Sequence, residues 1–130
     1  MENFFVAKTE RSPEVNFDFS AGILALRGES YPEDASLVFG PIFAALETFF
    51  AETRDGNVRL DVELIYFNSS SAKALMNMFL LLDKAAANGV SLVVNWRYAA
   101  EDDTMKEFGE DFSEDLEHVA FHLVVVDPVG

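Results

Sequence analysis

Three consecutive serines are the residues in this sequence that are best placed to take part in chemistry. Ser69, Ser70 and Ser71 follow Asn68 in the stretch YFNSSSAKALMNMF, where a run that predicts a strand meets a run that predicts a helix. All four side chains could cap that helix by accepting hydrogen bonds from the free amides of its first turn. The same helix terminus attracts anions, so it would also tolerate a phosphoserine, which adds about −1.5 to −2 charge units. The serines are therefore either a cap or a switch that blocks or creates a partner contact.

The histidines and one pair of carboxylates are weaker candidates. His118 and His122 could share a metal on a helix, but VAFHLVVV alternates like a strand, in which the two rings would lie about 13 Å apart. Asp61 and Glu63 share a strand face with Arg59, which predicts a charge-balanced surface rather than an acid–base pair. We therefore expect no catalytic residues and no metal site.

An acidic segment keeps one enzyme hypothesis open. Hard cations favour clustered carboxylates, so residues 101–103 could serve a small metal-assisted hydrolase. Neither this cluster nor the Asp61 and Glu63 pair combines a base, a nucleophile and oxyanion donors. No glycine-rich loop joins a strand to a helix, so we expect no nucleotide and no other cofactor.

Charge limits the classes of partner. The 130 residues include 23 acids and 9 bases, and the net charge of −14 would repel nucleic acid and anionic membranes. Nine of the acids lie in residues 101–117 beside the single Lys106. This run predicts either a solvated helix face with its loop or a docking surface for a basic partner. Cysteine is absent, which removes disulfide and thiolate chemistry.

Length and hydropathy suit one compact domain over residues 1–130, of which 50% are hydrophobic. No window approaches the apolar length of a membrane span, and the N-terminus lacks the apolar stretch of a signal peptide. We therefore expect a cytoplasmic protein without membrane insertion.

Hydrophobic periodicity predicts the order ββαβαβαβ, a mixed sheet with helices packed against it. The segments VNFDF and ILALRG, joined by SAG, form an N-terminal β-hairpin. The later strands are VRLDVELIYF, VSLVVNWRY and AFHLVVV, and the helices cover about 32–52, 70–88 and 103–112. Pro41 either kinks the first helix or begins a new one. Asn88 and Gly89 are expected to form a left-handed cap at the end of the second.

The second predicted helix carries two apolar stripes. The first has the spacing of a core face and contains Ala72, Leu75, Phe79, Leu82 and Ala86. The second lies nearly opposite and contains Ala74, Met78, Leu81 and Ala85. Either a neighbouring helix covers this second stripe or it is an exposed docking face.

A narrow polar strip separates the two stripes. It contains Ser69, Lys73, Asn77 and Lys84, so a phosphate on Ser69 would lie beside the second stripe and within reach of Lys73. The predicted partner-binding surface combines strip and stripe in Asn68, Ser70, Lys73, Ala74, Asn77, Met78, Leu81 and Ala85.

These segments resemble the SiaC family of bacterial regulatory phosphoproteins, relatives in fold of the STAS-domain anti-sigma-factor antagonists. The resemblance runs from about Phe17 to Leu123 and is carried by GESYPED, LDVELIYFNSSSAKALMNMF, VNWRY and EDDTMKEFGEDF. It implies a single STAS-like domain. In such proteins the hydroxyl residue directly after the Asn of the strand–helix junction is the phosphoacceptor, here Ser69, with Ser70 and Ser71 as alternatives. Some relatives have Thr in that place, and the STAS antagonists have Asp where this chain has Asn68.

The resemblance implies partner switching by a non-enzymatic signalling protein. A Ser/Thr kinase with a histidine-kinase-like ATP site would phosphorylate it, a PP2C-type phosphatase would reverse this, and the unmodified form would bind an effector. In the best-known branch the effector is a diguanylate cyclase, which couples the switch to cyclic-di-GMP and biofilm formation. A purely structural interaction subunit, in which the serines only cap a helix, is a further alternative.

Overall fold

The structure is a computed structural model that describes residues 2–126 as one six-stranded sheet with three helices. The strands are β1 (Phe4–Val6), β2 (Glu14–Asp18), β3 (Ile23–Ser30), β4 (Asn57–Phe67), β5 (Ser91–Ala99) and β6 (Ala120–Val126). The helices are α1 (Ala35–Glu52), α2 (Ser69–Ala87) and α3 (Asp103–Glu114). The predicted mixed α/β architecture is confirmed, with β1 as an additional strand. The ends of the predicted domain, residue 1 and residues 127–130, lie outside the described residues.

The strands lie in the sheet in the order in which they occur in the chain. β1, β2 and β3 pair antiparallel, so β2 and β3 form the predicted hairpin. β3, β4, β5 and β6 pair parallel, and each connection between them contains a helix. Right-handed crossovers that always advance in one direction leave their helices on one side of the sheet. One sheet face is therefore covered by α1, α2 and α3, and we call the other the open face.

The covered face supplies the core, as the alternating pattern predicts. In β5 the buried residues are Leu92, Val94, Trp96 and Tyr98. The Trp96 ring lies 5.4 Å from that of Phe112, and its indole N–H donates to the carbonyl of Met105 at 2.8 Å. Gly109 of α3 makes this packing possible, because a Cβ there would lie 2.5 Å from Trp96 Cδ1.

α1 runs as one helix from Ala35 to Glu52 with Pro41 inside it. The alternative that a new helix begins at Pro41 is therefore wrong. Pro41 lacks the N–H that would bond the carbonyl of Leu37, and both residues are exposed, so water can replace that bond.

α1 also corrects the expectation that no segment resembles a membrane span. By length and composition it is apolar enough to cross a membrane, as the core helix of a globular protein also is. In the fold it packs against the rest of the domain and contributes Phe39, Ile42, Leu46 and Phe49 to the core.

The second apolar stripe of α2 is mostly core, which corrects the predicted docking face. Ala74, Met78 and Ala85 are buried, with Met78 0% exposed, and only Leu81 is half-buried. α1 packs along α2 and covers the stripe, as the alternative of a neighbouring helix predicts. Ala74, Met78 and Ala85 are thus not available to a partner in this fold.

Candidate functional site

Asn68, and not one of the serines, is the N-cap of α2. Its side-chain oxygen accepts the backbone N–H of Ser71 at 2.9 Å. The last residue of β3 and the segment after it hold Asn68 in place. The backbone N–H of Asn68 donates to the carbonyl of Ser30 at 3.0 Å, and the side-chain amide of Asn68 donates to the carbonyl of Pro32 at 3.4 Å. The helix start is therefore anchored to two neighbouring segments.

Ser71 differs from the other two serines because it is buried. It is 0% exposed, and its hydroxyl lies 2.7 Å from the hydroxyl of Ser30, which is also buried. A phosphate here would break this pair and place an unpaired charge in the core, which costs several kcal/mol or more. The suggestion of Ser71 as an alternative phosphoacceptor is therefore wrong for the folded protein.

Ser69 and Ser70 are exposed and occupy the first two positions of α2. Backbone N–H groups at these positions have no partner within a helix, so they can bind an anion. Lys73 and Asn77 are also exposed and follow Ser69 at intervals of four residues. Residues four apart on a helix are neighbours, so the Lys73 ammonium can reach a phosphate on Ser69.

Two large apolar side chains lie exposed at a β-bulge just before the cap. The register of β3 against β4 shifts between Gly28 and Glu29, which leaves Ile65 as the extra residue of β4. Ile65 is 72% exposed and Tyr66 51% exposed, and the Tyr66 ring lies 5.8 Å from that of Tyr31. Bulges commonly re-aim side chains near functional sites. We refer to Tyr31, Ile65 and Tyr66 as the bulge patch.

Carboxylates cap the other two helices. Asp34 accepts the backbone N–H of Ser36 at 3.0 Å, and Asp102 accepts that of Met105 at 3.1 Å. Hydrogen bonds from the Ser36 hydroxyl and then from its backbone N–H lower the pKa of Asp34. α3 adds Asp103 in its first turn, whereas α2 has no acid in its cap or first turn. Two acids of the cluster at 101–103 thus stabilise the start of α3, one as its N-cap and one in its first turn.

The open face carries the predicted charge balance, with one unpredicted partner. Arg59 Nε lies 3.2 Å from the Asp61 carboxylate, which also accepts a hydrogen bond from Asn95 at 2.9 Å. Glu63 pairs with Arg97 of β5 at 2.9 Å rather than with Arg59. Among residues 2–126, no group of three or more His, Cys, Asp or Glu residues is placed to hold a metal ion.

Asp83 has a structural role that its sequence neighbourhood does not reveal. Its carboxylate accepts backbone N–H groups from His118 at 2.7 Å, Val119 at 2.9 Å and Glu117 at 3.1 Å. Partial burial opposes ionisation, but these donors and the nearby His118 outweigh it and lower the pKa of Asp83. Asp83 therefore ties α2 to the turn that leads into β6.

Ser30 and the bulge patch contribute to the site, and neither was predicted from the sequence. The alternation of Leu24, Leu26 and Gly28 places Ser30 on the covered side of β3, and a buried hydroxyl requires a partner. That signal could have identified Ser30. The bulge could not be found in this way, because it is defined by the pairing of β4 with β3.

Comparison with known sequences identifies the family of the chain. Residues 6–126 match the family described as SiaC family regulatory phosphoprotein. An uncharacterized protein of Pseudomonas aeruginosa strain UCBPP-PA14 is 33% identical over 115 residues, which cover 88% of this chain and 90% of that protein.

Two solved structures have the same fold. Apo-SiaC from Pseudomonas aeruginosa superposes with a TM-score of 0.82 at 31% identity, over 96% of this chain and 100% of that chain. A chain from the crystal structure of the diguanylate cyclase SiaD in complex with its activator SiaC, from the same species, gives a TM-score of 0.85 at 30% identity, over 96% and 99%. The predicted resemblance is confirmed.

Proposed function

The chain belongs to the SiaC family of regulatory phosphoproteins, and we propose that it is a non-enzymatic cytoplasmic switch that releases its effector when Ser69 is phosphorylated. The observation that carries the proposal is the position of Ser69, exposed at the first residue of α2 beside a cap without a carboxylate. The proposed effector is a diguanylate cyclase, because the SiaC of Pseudomonas aeruginosa is the activator of the cyclase SiaD.

Exposure and position together favour Ser69 as the phosphoacceptor. Ser71 is buried and paired with Ser30, whereas Ser69 and Ser70 are open to a kinase without unfolding of the helix. The resemblance to SiaC proteins then favours Ser69, which directly follows Asn68. Free amides, the helix dipole and Lys73 would all stabilise a phosphate at this position.

We propose a contact surface that differs from the stripe suggested by the sequence. It combines Lys73 and Asn77 of the polar strip with Asn68, Ser70 and the bulge patch. The patch supplies apolar contact area directly before the cap. The second stripe of α2 cannot supply it, because that stripe is mostly buried. Leu81 lies about 18 Å along the helix axis from Ser69 and is outside this surface.

The physical basis of the switch is the cost of desolvation. A serine hydroxyl at the edge of an apolar contact loses little when water is excluded, whereas a phosphate dianion loses its hydration. A loss of about 1.4 kcal/mol already weakens binding tenfold. Phosphorylation would thus release the effector while leaving α2 folded.

Two enzymes complete the proposed cycle. A Ser/Thr kinase with a histidine-kinase-like ATP site would transfer phosphate to the Ser69 hydroxyl, and a PP2C-type phosphatase would hydrolyse the phosphoester. Ser69 is an exposed surface residue, which meets the requirement of both enzymes for access.

Pull-down from the native cytosol with four baits tests the proposal. The baits are the wild type, Ser69→Ala, Ser69→Asp and, as a matched control one residue away, Ser70→Asp. Mass spectrometry identifies both the captured proteins and any phosphate on the bait. We expect the wild type and Ser69→Ala to retain a cyclase that Ser69→Asp loses, Ser70→Asp to lose less of it, and phosphate on Ser69 of the wild type.

Two outcomes would contradict the proposal. If all baits capture the same proteins and no phosphate forms even with the candidate kinase added, the serines act only as part of a helix start. If phosphate maps to Ser70 and Ser70→Asp alone releases the cyclase, the switch lies one residue further along the helix.

A further inference from the structure

The outer edge of β6 is a long backbone edge that no strand covers within residues 2–126. β6 is the last strand of the sheet, and its residues Ala120–Val126 all pair with β5 on the inner side. The opposite edge of the sheet is β1, which has only 3 residues. A terminal strand presents N–H and C=O groups that a strand from another chain can bind.

β6 lacks the features that usually protect such an edge. Its sequence, AFHLVVV, contains no Lys, no Pro and no acid, and no register shift interrupts its pairing with β5. Leu123 is 37% exposed and Val125 49% exposed, so apolar side chains reach solvent beside the free backbone. A strand of this length spans about 23 Å, enough for an added strand of five to seven residues.

We propose that the outer edge of β6 binds an extended basic segment of a partner protein as an additional strand of the sheet. The charge argument comes from the segment that precedes β6, where residues 101–117 hold nine acids and only Lys106 as a base. α3 packs on β6, with Gly109 directly against Leu123, and the same helix carries the exposed acids Glu110 and Glu114.

Charge complementarity selects this occupant over a second copy of the chain. Each copy has a net charge of −14, so edge-to-edge pairing would bring two acidic segments together. A strand with Lys or Arg at alternate positions would instead place cations towards α3, within the roughly 8 Å range of electrostatics at physiological salt. The surface is separate from Ser69, so this proposal stands whether or not Ser69 is phosphorylated.

A synthetic heptapeptide tests the proposal. It alternates Lys and Val, is acetylated and amidated, and is titrated at low salt against the ¹⁵N-labelled chain. We expect saturable shifts of the amides of residues 120–126, with at least tenfold slower hydrogen exchange along β6. An N-methylated version of the peptide, which cannot pair its backbone, and a version with Glu in place of Lys should each bind at least tenfold more weakly.

Two matched variants locate the binding edge. Val125→Lys places a cation on β6 and should weaken binding of the Lys peptide at least fivefold, while Val6→Lys makes the same change on β1 and should leave it unchanged. Both residues are partly exposed, so circular dichroism should show retained folds. A third variant, Ala120→Lys at the exposed start of β6, replaces Val125→Lys if that protein is unstable.

Four results would overturn the proposal. Equal binding of the N-methylated peptide would show that backbone pairing is not involved. Shifts confined to α3 would indicate simple charge attraction, and the absence of saturable binding would exclude this peptide class. A dimer in analytical ultracentrifugation that Val125→Lys dissociates would assign the edge to a second copy of the chain.

Discussion

α2 and α3 begin with the same type of capping hydrogen bond but with different charges. Asn68 accepts the N–H of the residue three positions on at 2.9 Å, and Asp102 does the same at 3.1 Å. α3 continues with Asp103, whereas α2 continues with hydroxyl residues and Lys73. Either cap satisfies the backbone, but only the neutral one leaves the positive end of its helix without a compensating charge. In a chain of net charge −14, that end is well suited to accept a phosphate.

The largest expected effect is on stability, and it tests whether the start of α2 and its polar strip are the only parts of this helix that a partner can contact. Met78→Lys would place an unpaired ammonium where the side chain is 0% exposed, so we expect a loss of at least about 3 kcal/mol in the free energy of unfolding. The adjacent exposed Asn77→Lys is the control and should change stability by less than about 0.5 kcal/mol. Urea denaturation measures both. A stable Met78→Lys protein that fails to bind its effector would restore the stripe as a docking face.

The next effect distinguishes the buried Ser71 from the exposed Ser69. Ser71→Asp breaks the buried pair with Ser30 and should cost about 2–4 kcal/mol. Ser69→Asp adds the same charge at the exposed helix start, where the dipole favours it, and should change stability by no more than about 1 kcal/mol, in the stabilising direction. Thermal and urea unfolding of the two variants provide the comparison. Equal costs would show that burial does not distinguish these positions.

Substitutions at Asn68 test the role of the cap of α2, and one of them gives α2 the type of cap that α3 has. Asn68→Ala removes the hydrogen bond to the N–H of Ser71 and should cost about 1 kcal/mol. Asn68→Asp gives α2 the cap of α3 and should keep stability within about 0.5 kcal/mol of the wild type. Phosphorylation of Ser69 should then raise Tm in the wild type but less in Asn68→Asp. An equal rise in both proteins would contradict the role assigned to the neutral cap.

The smallest expected effect is a difference in pH response between the starts of α1 and α2. Because the pKa of Asp34 is lowered on folding, its cap stabilises the protein above the unfolded value of 3.8 and is lost as the pH falls through the folded value. Asn68 does not titrate. Between pH 5 and 2, while circular dichroism still shows a folded protein, we expect the protection of the Ser36 amide against hydrogen exchange, relative to its intrinsic rate, to fall more than that of the Ser71 amide. Asp34→Asn should remove the difference, and an unchanged difference in that variant would show that another group causes it.

The strands and helices were largely predictable because their periodicity is local. In β5, the four large apolar residues on one side alternate with a side that carries Ser91, Asn95 and Arg97, and this alternation indicated both the strand and its buried face. β1 was missed because its three residues, FFV, are too short to show a pattern and form a strand only by pairing with β2. Similarly, the partner of Glu63 is Arg97 on a neighbouring strand, and only the sheet register brings the two together.

The candidate site was predictable in place but not in detail. The run of hydroxyl residues after a strand indicated a helix start, but three identical serines cannot be ranked from local sequence. Burial of Ser71 depends on Ser30, which lies 41 residues earlier in the chain. The apolar stripe containing Met78 showed the same limit, since one helix alone does not reveal whether α1 covers it.

The most direct test of the switch compares two forms of the same chain. One carries phosphoserine at position 69, incorporated during synthesis and verified by mass spectrometry, and the other is unmodified. Each is titrated into the purified diguanylate cyclase encoded by the same organism, with binding followed by calorimetry and cyclic-di-GMP formation by chromatography. We predict that the unmodified chain binds and activates the cyclase and that phosphoserine weakens binding at least tenfold without lowering Tm. Equal affinity and equal activation by the two forms would contradict the account.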